Sequence, residues 1–348
     1  MKTEMLIEFF AALVITFALT VLLARVIIPI LKSKKMGQKI LDIGPRWHKN
    51  KEGTPTMGGL IILVAVLVPM LLFGRLDNVY TQLMLVSTIW LGVIGFLDDY
   101  IKVFRHNKEG LKGRFKIVGQ VGLGLIVGTT MWLHSDIVVR EGASLPSELR
   151  GEVVEQNYFA PEQGKVPETA VVEGVKTTQT TIPFIKDNEF DYKWLAGGNE
   201  TLGWLVYVLV AIFVITAVSN GANLMDGLDG LVTGVSAPIV VVLGVLAYLS
   251  GHIVYADYLN IMFIPESAEL VVFAAAMVGA LMGFLWYNSF PAQIFMGDTG
   301  SLAIGGIIAV FALCIRKELL LPLMCGIFLA EAVSVMVQVG YFKYTKRK

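Results

Sequence analysis

Charge is scarce in this sequence. Charged residues make up 16% of the 348, where soluble domains usually carry about 25%. The formal net charge is zero, so bulk electrostatics indicate no nucleic-acid partner. Cysteine is nearly absent. Cys314 and Cys325 both lie in apolar runs, where they read as small core or lipid-facing residues and leave nothing for a disulfide framework or a thiolate metal site. The first apolar run lacks the basic leader and small-residue cleavage site of a signal peptide, so it is expected to stay as a membrane anchor. No repeat of fixed period is present.

What the sequence has in abundance is apolar length. Apolar residues make up 55% and the mean hydropathy is +0.68. A membrane-crossing helix takes about 17–25 mostly apolar residues. Nine runs qualify or nearly do: 9–30, 58–73, 80–97, 117–133, 202–218, 231–249, 270–287, 302–315 and 319–339. Each must be a helix, because lipid offers no partner for a free backbone N–H or C=O. The expectation is therefore an all-α polytopic membrane protein with nine transmembrane helices, forming one domain over 1–348.

Lysine and arginine orient it. With the N-terminus outside, residues 31–57 face the cytoplasm with seven basic residues, 98–116 add six, and the tail after Val339 adds four. The short outside segments hold four: Lys2, Arg75, Arg316 and Lys317. An insert at 134–200 stands apart as extracytoplasmic. It is rich in glutamate, including Glu141, Glu148, Glu152 and Glu155, and reads as a partly ordered surface loop without a catalytic part. Its run 180–185 is prone to pair into a hairpin.

The carboxylates of interest fall on the inner side. Asp98 and Asp99 end the third run, where a helix C-terminus opposes their charge; alone, the pair also reads as a solvated interfacial feature. The loop NGANLMDGLDG at 220–230 holds Asp226 and Asp229, and the loop NSFPAQIFMGDTGS at 288–301 holds Asp298. Neither loop carries a lysine or arginine through Gly300. Three acids without local cations point to a positive charge from outside, most simply a divalent ion with oxygen ligands, for which Mg2+ is suited. Glycine-rich approaches to helix N-termini, here and in GTPTMGG at 53–59, suit phosphate oxygens. For each loop a plain turn is the competing reading: Asp229 serves as a helix cap, and the glycines of 53–59 serve close packing. Lys49, Lys51, Lys102, Lys112, Arg114 and Lys116 read mostly as topology markers and headgroup contacts, with a few open to an anionic substrate. Phosphate, divalent ion and membrane together indicate phosphoryl transfer at the bilayer surface.

The runs 53–59, 98–100, 220–230 and 288–301, in this order and on one face, resemble the signatures of the phospho-N-acetylmuramoyl-pentapeptide transferase family. That family lies within the polyprenyl-phosphate N-acetylhexosamine 1-phosphate transferases. The resemblance implies a ten-helix bundle with both termini outside, a homodimer in the cell inner membrane, and catalysis on the cytoplasmic face. Its substrates would be UDP-MurNAc-pentapeptide and undecaprenyl phosphate, with Mg2+ as cofactor, and its products UMP and the first lipid-linked peptidoglycan precursor. By motif position, Asp298 is implied as metal ligand with Asn223 second, and Asp98 and Asp99 as the acid pair. Asp98 as a base is held loosely, since a phosphate monoester with a second pKa near about 6 scarcely needs one. Gly227, Leu228, Asp229 and Phe295 match the uridine pocket, with Phe295 the stacking ring. Lys51, Thr56, Asp226, Asn288 and Gly297 match further substrate contacts.

Two other readings stay open. A sister transferase using UDP-N-acetylglucosamine would share these motifs. An ion transporter would hold its ionisable groups at mid-membrane, where only Glu331 lies here, and bonding within the bundle accounts for that residue. The sequence also departs from the family pattern. A histidine-rich segment and a tenth helix are expected after Lys348, and His48, His106, His134 and His252 form no comparable cluster. The chain as written is accordingly expected to show little or no transferase activity.

Overall fold

A computed structural model describes residues 3–33, 53–105, 107, 110–139, 175–185 and 189–345. Among them, nine helices of fifteen residues or more account for all nine apolar runs: α1 (Thr3–Ser33), α2 (Gly59–Phe73), α3 (Val79–Phe104), α4 (Gly113–Leu133), α5 (Glu200–Met225), α6 (Leu231–Ser250), α7 (Leu270–Asn288), α8 (Asp298–Cys314) and α9 (Gly326–Thr345). Seven of the spans are long and apolar enough to cross a membrane, while α2 and α8 are shorter apolar helices. The chain is a multi-pass helical membrane protein.

The core sits around α8. Nearly every residue of α8 from Thr299 to Cys314 is buried, packed against α3 and α5. A second seam joins α1 to α7 and α7 to α6. Outward faces remain apolar: Leu209 and Phe213 on α5 and Val118 on α4 are exposed, as a lipid solvent permits. Two starts are fixed by asparagine. Asn78 Oδ1 accepts from the Tyr80 and Thr81 N–H groups at α3, and Asn199 Oδ1 from Leu202 at α5, each satisfying donors the helix leaves unpaired.

Three expectations shift. First, α3 does not end at the acid pair. It runs on to Phe104, because polar residues that face a site keep helical geometry after the hydropathy has dropped. Second, the last run is interrupted. The 3-10 turn Glu318–Leu320 and the single turn Leu321–Met324 precede α9, with Pro322 in the first turn, where its missing N–H costs nothing. Third, Glu331 lies exposed on α9, a helix whose described residues bury only Phe328, so packing within the bundle does not explain it.

The insert forms a small roof at the end of the bundle where α5 starts. β1 (Gln179–Thr181) pairs antiparallel with β2 (Glu189–Asp191), Thr180 opposite Phe190, so the hairpin expected near 180–185 is present. Residues 140–174 lie outside the described part.

Candidate functional site

Three loops meet at the opposite end, where α3 and α5 finish and α8 begins. Two of them are laced by backbone bonds. Phe295 N–H donates to the Pro55 carbonyl (2.8 Å), Gly58 N–H to Phe295 O (2.9 Å) and Gly59 N–H to Met296 O (2.8 Å). The runs 53–59 and 288–301, more than two hundred residues apart in sequence, thus form one surface. The packing reading of the glycines also holds: a Cβ built on Gly59 would lie 2.1 Å from the Gly300 nitrogen.

Asn288 ties in the third loop. Its Oδ1 accepts from Gly230 N–H and Thr233 Oγ1, each at 3.1 Å, and its Nδ2 donates to Ile294 O at 2.9 Å. This side chain is buried and holds loops rather than facing open space. Asp229 does not cap α6, whose cap is Gly230 in the left-handed region. Instead its Oδ2 accepts from Ala292 N–H at 3.1 Å. Leu228 is exposed and Gly227 lies beside it, while Phe295 is half-buried.

The acids converge within this frame. One oxygen each of Asp98, Asp99 and Asp298 lies within 4.8 Å of the others. Asp298 opens α8, placed by Gly297 at φ +74. A Cβ there would also lie 2.6 Å from Asp99 Oδ2 and 2.8 Å from Thr56 Oγ1, so only glycine fits. Asn223 Nδ2 donates to Asp298 Oδ1 (3.0 Å) and to Ser301 Oγ (2.9 Å), bracing Asp298. Asp226, half-buried at the end of α5, has its carboxyl pushed well above the usual carboxylate range by desolvation, then by the Asp298 and Asp99 charges.

Asp98 and Asp99 are neighbours with different work. Asp99 accepts from Asp298 N–H (3.2 Å), Thr299 N–H (2.9 Å) and Thr299 Oγ1 (2.6 Å). It is the cap of α8, supplied from another helix, and a carboxylate there complements the α8 dipole. Asp98 accepts from Leu111 N–H (2.7 Å) and meets two ammonium groups: Lys102 Nζ at 2.5 Å and Lys116 Nζ at 3.0 Å. Both lysines also reach Asp298 Oδ2, Lys102 at 3.1 Å and Lys116 in close contact.

These lysines correct the sequence reading. The two loops lack local cations, but α3 and α4 deliver two from elsewhere, so the acids are not uncompensated. Lys102, one of the basic residues open to an anionic substrate in the sequence, follows Asp98 by one turn of α3, a spacing that appears only with the helix continued to Phe104. Lys116, also among those basic residues, is brought to the acids by the packing of α4. Lys51, expected to contact substrate, lies outside the described residues.

The comparisons with known proteins accord with this arrangement. A signature described as phospho-N-acetylmuramoyl-pentapeptide-transferase signature 1 matches residues 51–63, and the glycosyl transferase family 4 profile matches 168–316. The phospho-N-acetylmuramoyl-pentapeptide-transferase of Parabacteroides distasonis is 55% identical over 341 residues, covering 97% of this chain and 78% of that protein. Those of Flavobacterium psychrophilum and Porphyromonas gingivalis strain W83 are 51% and 53% identical, each over 97% of this chain and over 81% and 78% of their own length.

The chain belongs to the phospho-N-acetylmuramoyl-pentapeptide-transferase family.

Within a phospho-N-acetylmuramoyl-pentapeptide transferase the groups described here make chemical sense. Two lysines and a helix N-terminus can hold phosphate oxygens. The three carboxylates offer the oxygen donors that a hard divalent ion takes. Asp99 is held by donors of the α8 start, two of them backbone N–H groups. Asp98 and Asp298 are met mainly by side chains that can turn away, Lys102, Lys116 and Asn223, so these two are the better placed to meet such an ion.

Proposed function

We propose that this chain transfers phospho-N-acetylmuramoyl-pentapeptide from its UDP conjugate to undecaprenyl phosphate, at the cluster of Asp98, Asp298, Lys102 and Lys116. An oxygen of the lipid phosphate attacks the β-phosphorus of the nucleotide sugar. The bond from that phosphorus to the bridging oxygen breaks, and UMP departs with the electron pair. One phosphoanhydride replaces another, so the protein's task is positioning and charge stabilisation.

The observation that carries this reading is the shared grip of two lysines on two carboxylates from separate helices, Asp98 within α3 and Asp298 at the start of α8. The two ammonium groups can turn to phosphate oxygens as substrates enter. Asp98 and Asp298 would hold Mg2+, with Asn223 bracing Asp298; when bound, the ion neutralises charge that develops on the pyrophosphate. Asp98 then serves as a holder of cations and not as a base. Phe295 offers its ring to uracil beside Leu228 and Gly227, with Asp229 fixing the loop that carries them. Thr56, Gly297 and Asp226 line the approach, Asn288 holds it together, and Lys51 contributes a further cation.

The membrane is the cell inner membrane, with the N-terminus outside and the site cytoplasmic, as the lysine and arginine balance supports. The protein acts as a homodimer, as the family resemblance implies.

The test is product formation. The 348-residue chain and a version extended with the tail of the Parabacteroides relative are purified, given labelled UDP-MurNAc-pentapeptide and undecaprenyl phosphate, and assayed for UMP with and without Mg2+. UDP-N-acetylglucosamine competes in a parallel arm. Metal-dependent UMP release with the MurNAc donor is expected from the extended form, and the 348-residue form reads how much of it these residues support alone. Failure of both forms, or preference for the N-acetylglucosamine donor, would overturn the assignment.

A further inference from the structure

The roof contains a feature that the transferase reaction does not use. The 3-10 turn Tyr192–Ala196 links β2 to α5 and is held firmly at both ends. Asp191 Oδ1 accepts from Lys193 N–H at 2.9 Å, and Gly197, at φ +64, closes the turn with its N–H on the Lys193 and Trp194 carbonyls. Inward, Tyr192 is buried and donates its hydroxyl to Glu318 at 3.0 Å. Outward, Trp194 is 76% exposed and Leu195 56%. A well-anchored turn therefore displays two large apolar side chains.

Its height along the bundle shows what they meet. The turn folds back beside the first turn of α5: a Cβ built on Gly203 would lie 2.9 Å from Lys193 Cγ and 3.2 Å from its Cα. Trp194 and Leu195 thus stand level with the beginning of a spanning helix that starts at Glu200. From the same level downward, α5 exposes Leu202, Leu205, Leu209 and Phe213 at helical spacing, the surface it turns to lipid. Trp132, ending α4, stacks on Trp204 with ring centroids 6.3 Å apart, adding aromatic mass at this height. Tryptophan favours the boundary between headgroups and acyl chains, where its ring is buried and its N–H stays wet. Lys193, one-third exposed and 4.0 Å from Glu200, can direct its charge toward the headgroups.

We propose that Tyr192–Ala196 is an interfacial anchor: Trp194 and Leu195 lie in the phospholipid headgroup–acyl boundary of the leaflet at the end of the bundle remote from the carboxylates. The anchor fixes the depth of the roof, because the same turn grips Glu318 through Tyr192.

Spin labels test this. Single cysteines replace Trp194, Leu195, Leu209 and Asp77 in a background lacking Cys314 and Cys325, in phosphatidylcholine vesicles. Leu209 serves as the lipid reference and Asp77, 73% exposed at the start of α3, as the water reference. Labels at 194 and 195 are expected to collide preferentially with oxygen over a water-soluble nickel chelate, at a depth between the two references. Collision like that at 77 would overturn the proposal by showing a turn in water. Low collision with both agents would overturn it by showing a protein cover, from the rest of the insert or a second copy. Should a cysteine variant fail to fold, Trp194→Phe and the parent protein are compared in vesicles of acyl-brominated phosphatidylcholine. The fluorescence contributed by Trp194 is expected to be quenched there, and an unquenched contribution would equally overturn the anchor.

Discussion

Helix α8 carries buried charge at both ends, and the two ends bury it differently. At its start, Asp298 shares Lys102 and Lys116 with Asp98, and those lysines are 35% and 16% exposed. Their ammonium groups hang on long side chains that can let go and turn. Past its end, Arg316, Lys317 and Glu318 are each 1% exposed and roofed by the insert. Arg316 lies over Tyr207 at 4.6 Å and Trp204 at 5.4 Å, its carbonyl accepts from Thr181 N–H at 3.0 Å, and Lys317 Nζ meets Thr181 Oγ1 at 2.5 Å. Burial pushes the Glu318 carboxyl up and holds Lys317 down to about 8. Charge that must exchange partners sits where water and substrate can reach it. Charge that fastens a roof is sealed away.

The sealed end should show the largest loss of stability. Glu318→Ala removes the one carboxylate among these three residues and leaves Tyr192 without its acceptor. A buried hydroxyl left without its acceptor costs about 1–3 kcal/mol, and the lost Coulombic attraction of Glu318 for Arg316 and Lys317 adds to it. Thermal unfolding at one fixed scan rate, as irreversible unfolding requires, checks it against the parent. An unchanged midpoint would mean that the roof carries no stability and that the two ends do not differ as argued.

The open end should show loss of turnover instead. Asp298→Asn is expected to lower the rate at least about a hundredfold, on the order of 2.7 kcal/mol of transition-state stabilisation, with the unfolding midpoint nearly unmoved. A near-normal rate at ordinary magnesium concentration would remove Asp298 from the chemistry. Phe295 refines the same end by substrate. Stacking of a base on a ring contributes about 1–3 kcal/mol, so Phe295→Ala should weaken UMP and UDP-sugar binding by that amount and leave lipid phosphate affinity alone. Equal weakening of both would assign the ring to packing.

The contrast also marks what sequence could and could not show. Apolar runs fixed the helices because lipid leaves the backbone no other choice, and all four motif loops fall on helices that finish or begin at one end. Pairing between distant segments was not visible. Arg316 and Lys317 counted as two outside cations among four, and nothing in their sequence announces burial under Thr180 and Thr181. Likewise, the pairing of Lys102 with Asp98 was legible only through their one-turn spacing, which required α3 to continue past the drop in hydropathy.

The smallest expected effect separates the two members of the acid pair. Asp99 accepts three hydrogen bonds at the start of α8, whereas Asp98 and Asp298 are two carboxylates held together by lysines. Neutralising Asp99 removes a charged cap, which ordinarily costs about 0.5–2 kcal/mol; asparagine keeps one acceptor oxygen, so about 1 kcal/mol is expected for Asp99→Asn. Neutralising Asp98 instead relieves repulsion with Asp298 while giving up part of its lysine contacts, and the two changes oppose each other. Asp99→Asn should therefore lower the unfolding midpoint more than Asp98→Asn does. Turnover is not the discriminating measurement, since an Asp298 displaced by a loosened helix start would also be slow. Equal midpoints for the two variants would show that Asp99 does not cap α8, and both acids would then have to be assigned to the chemistry alone.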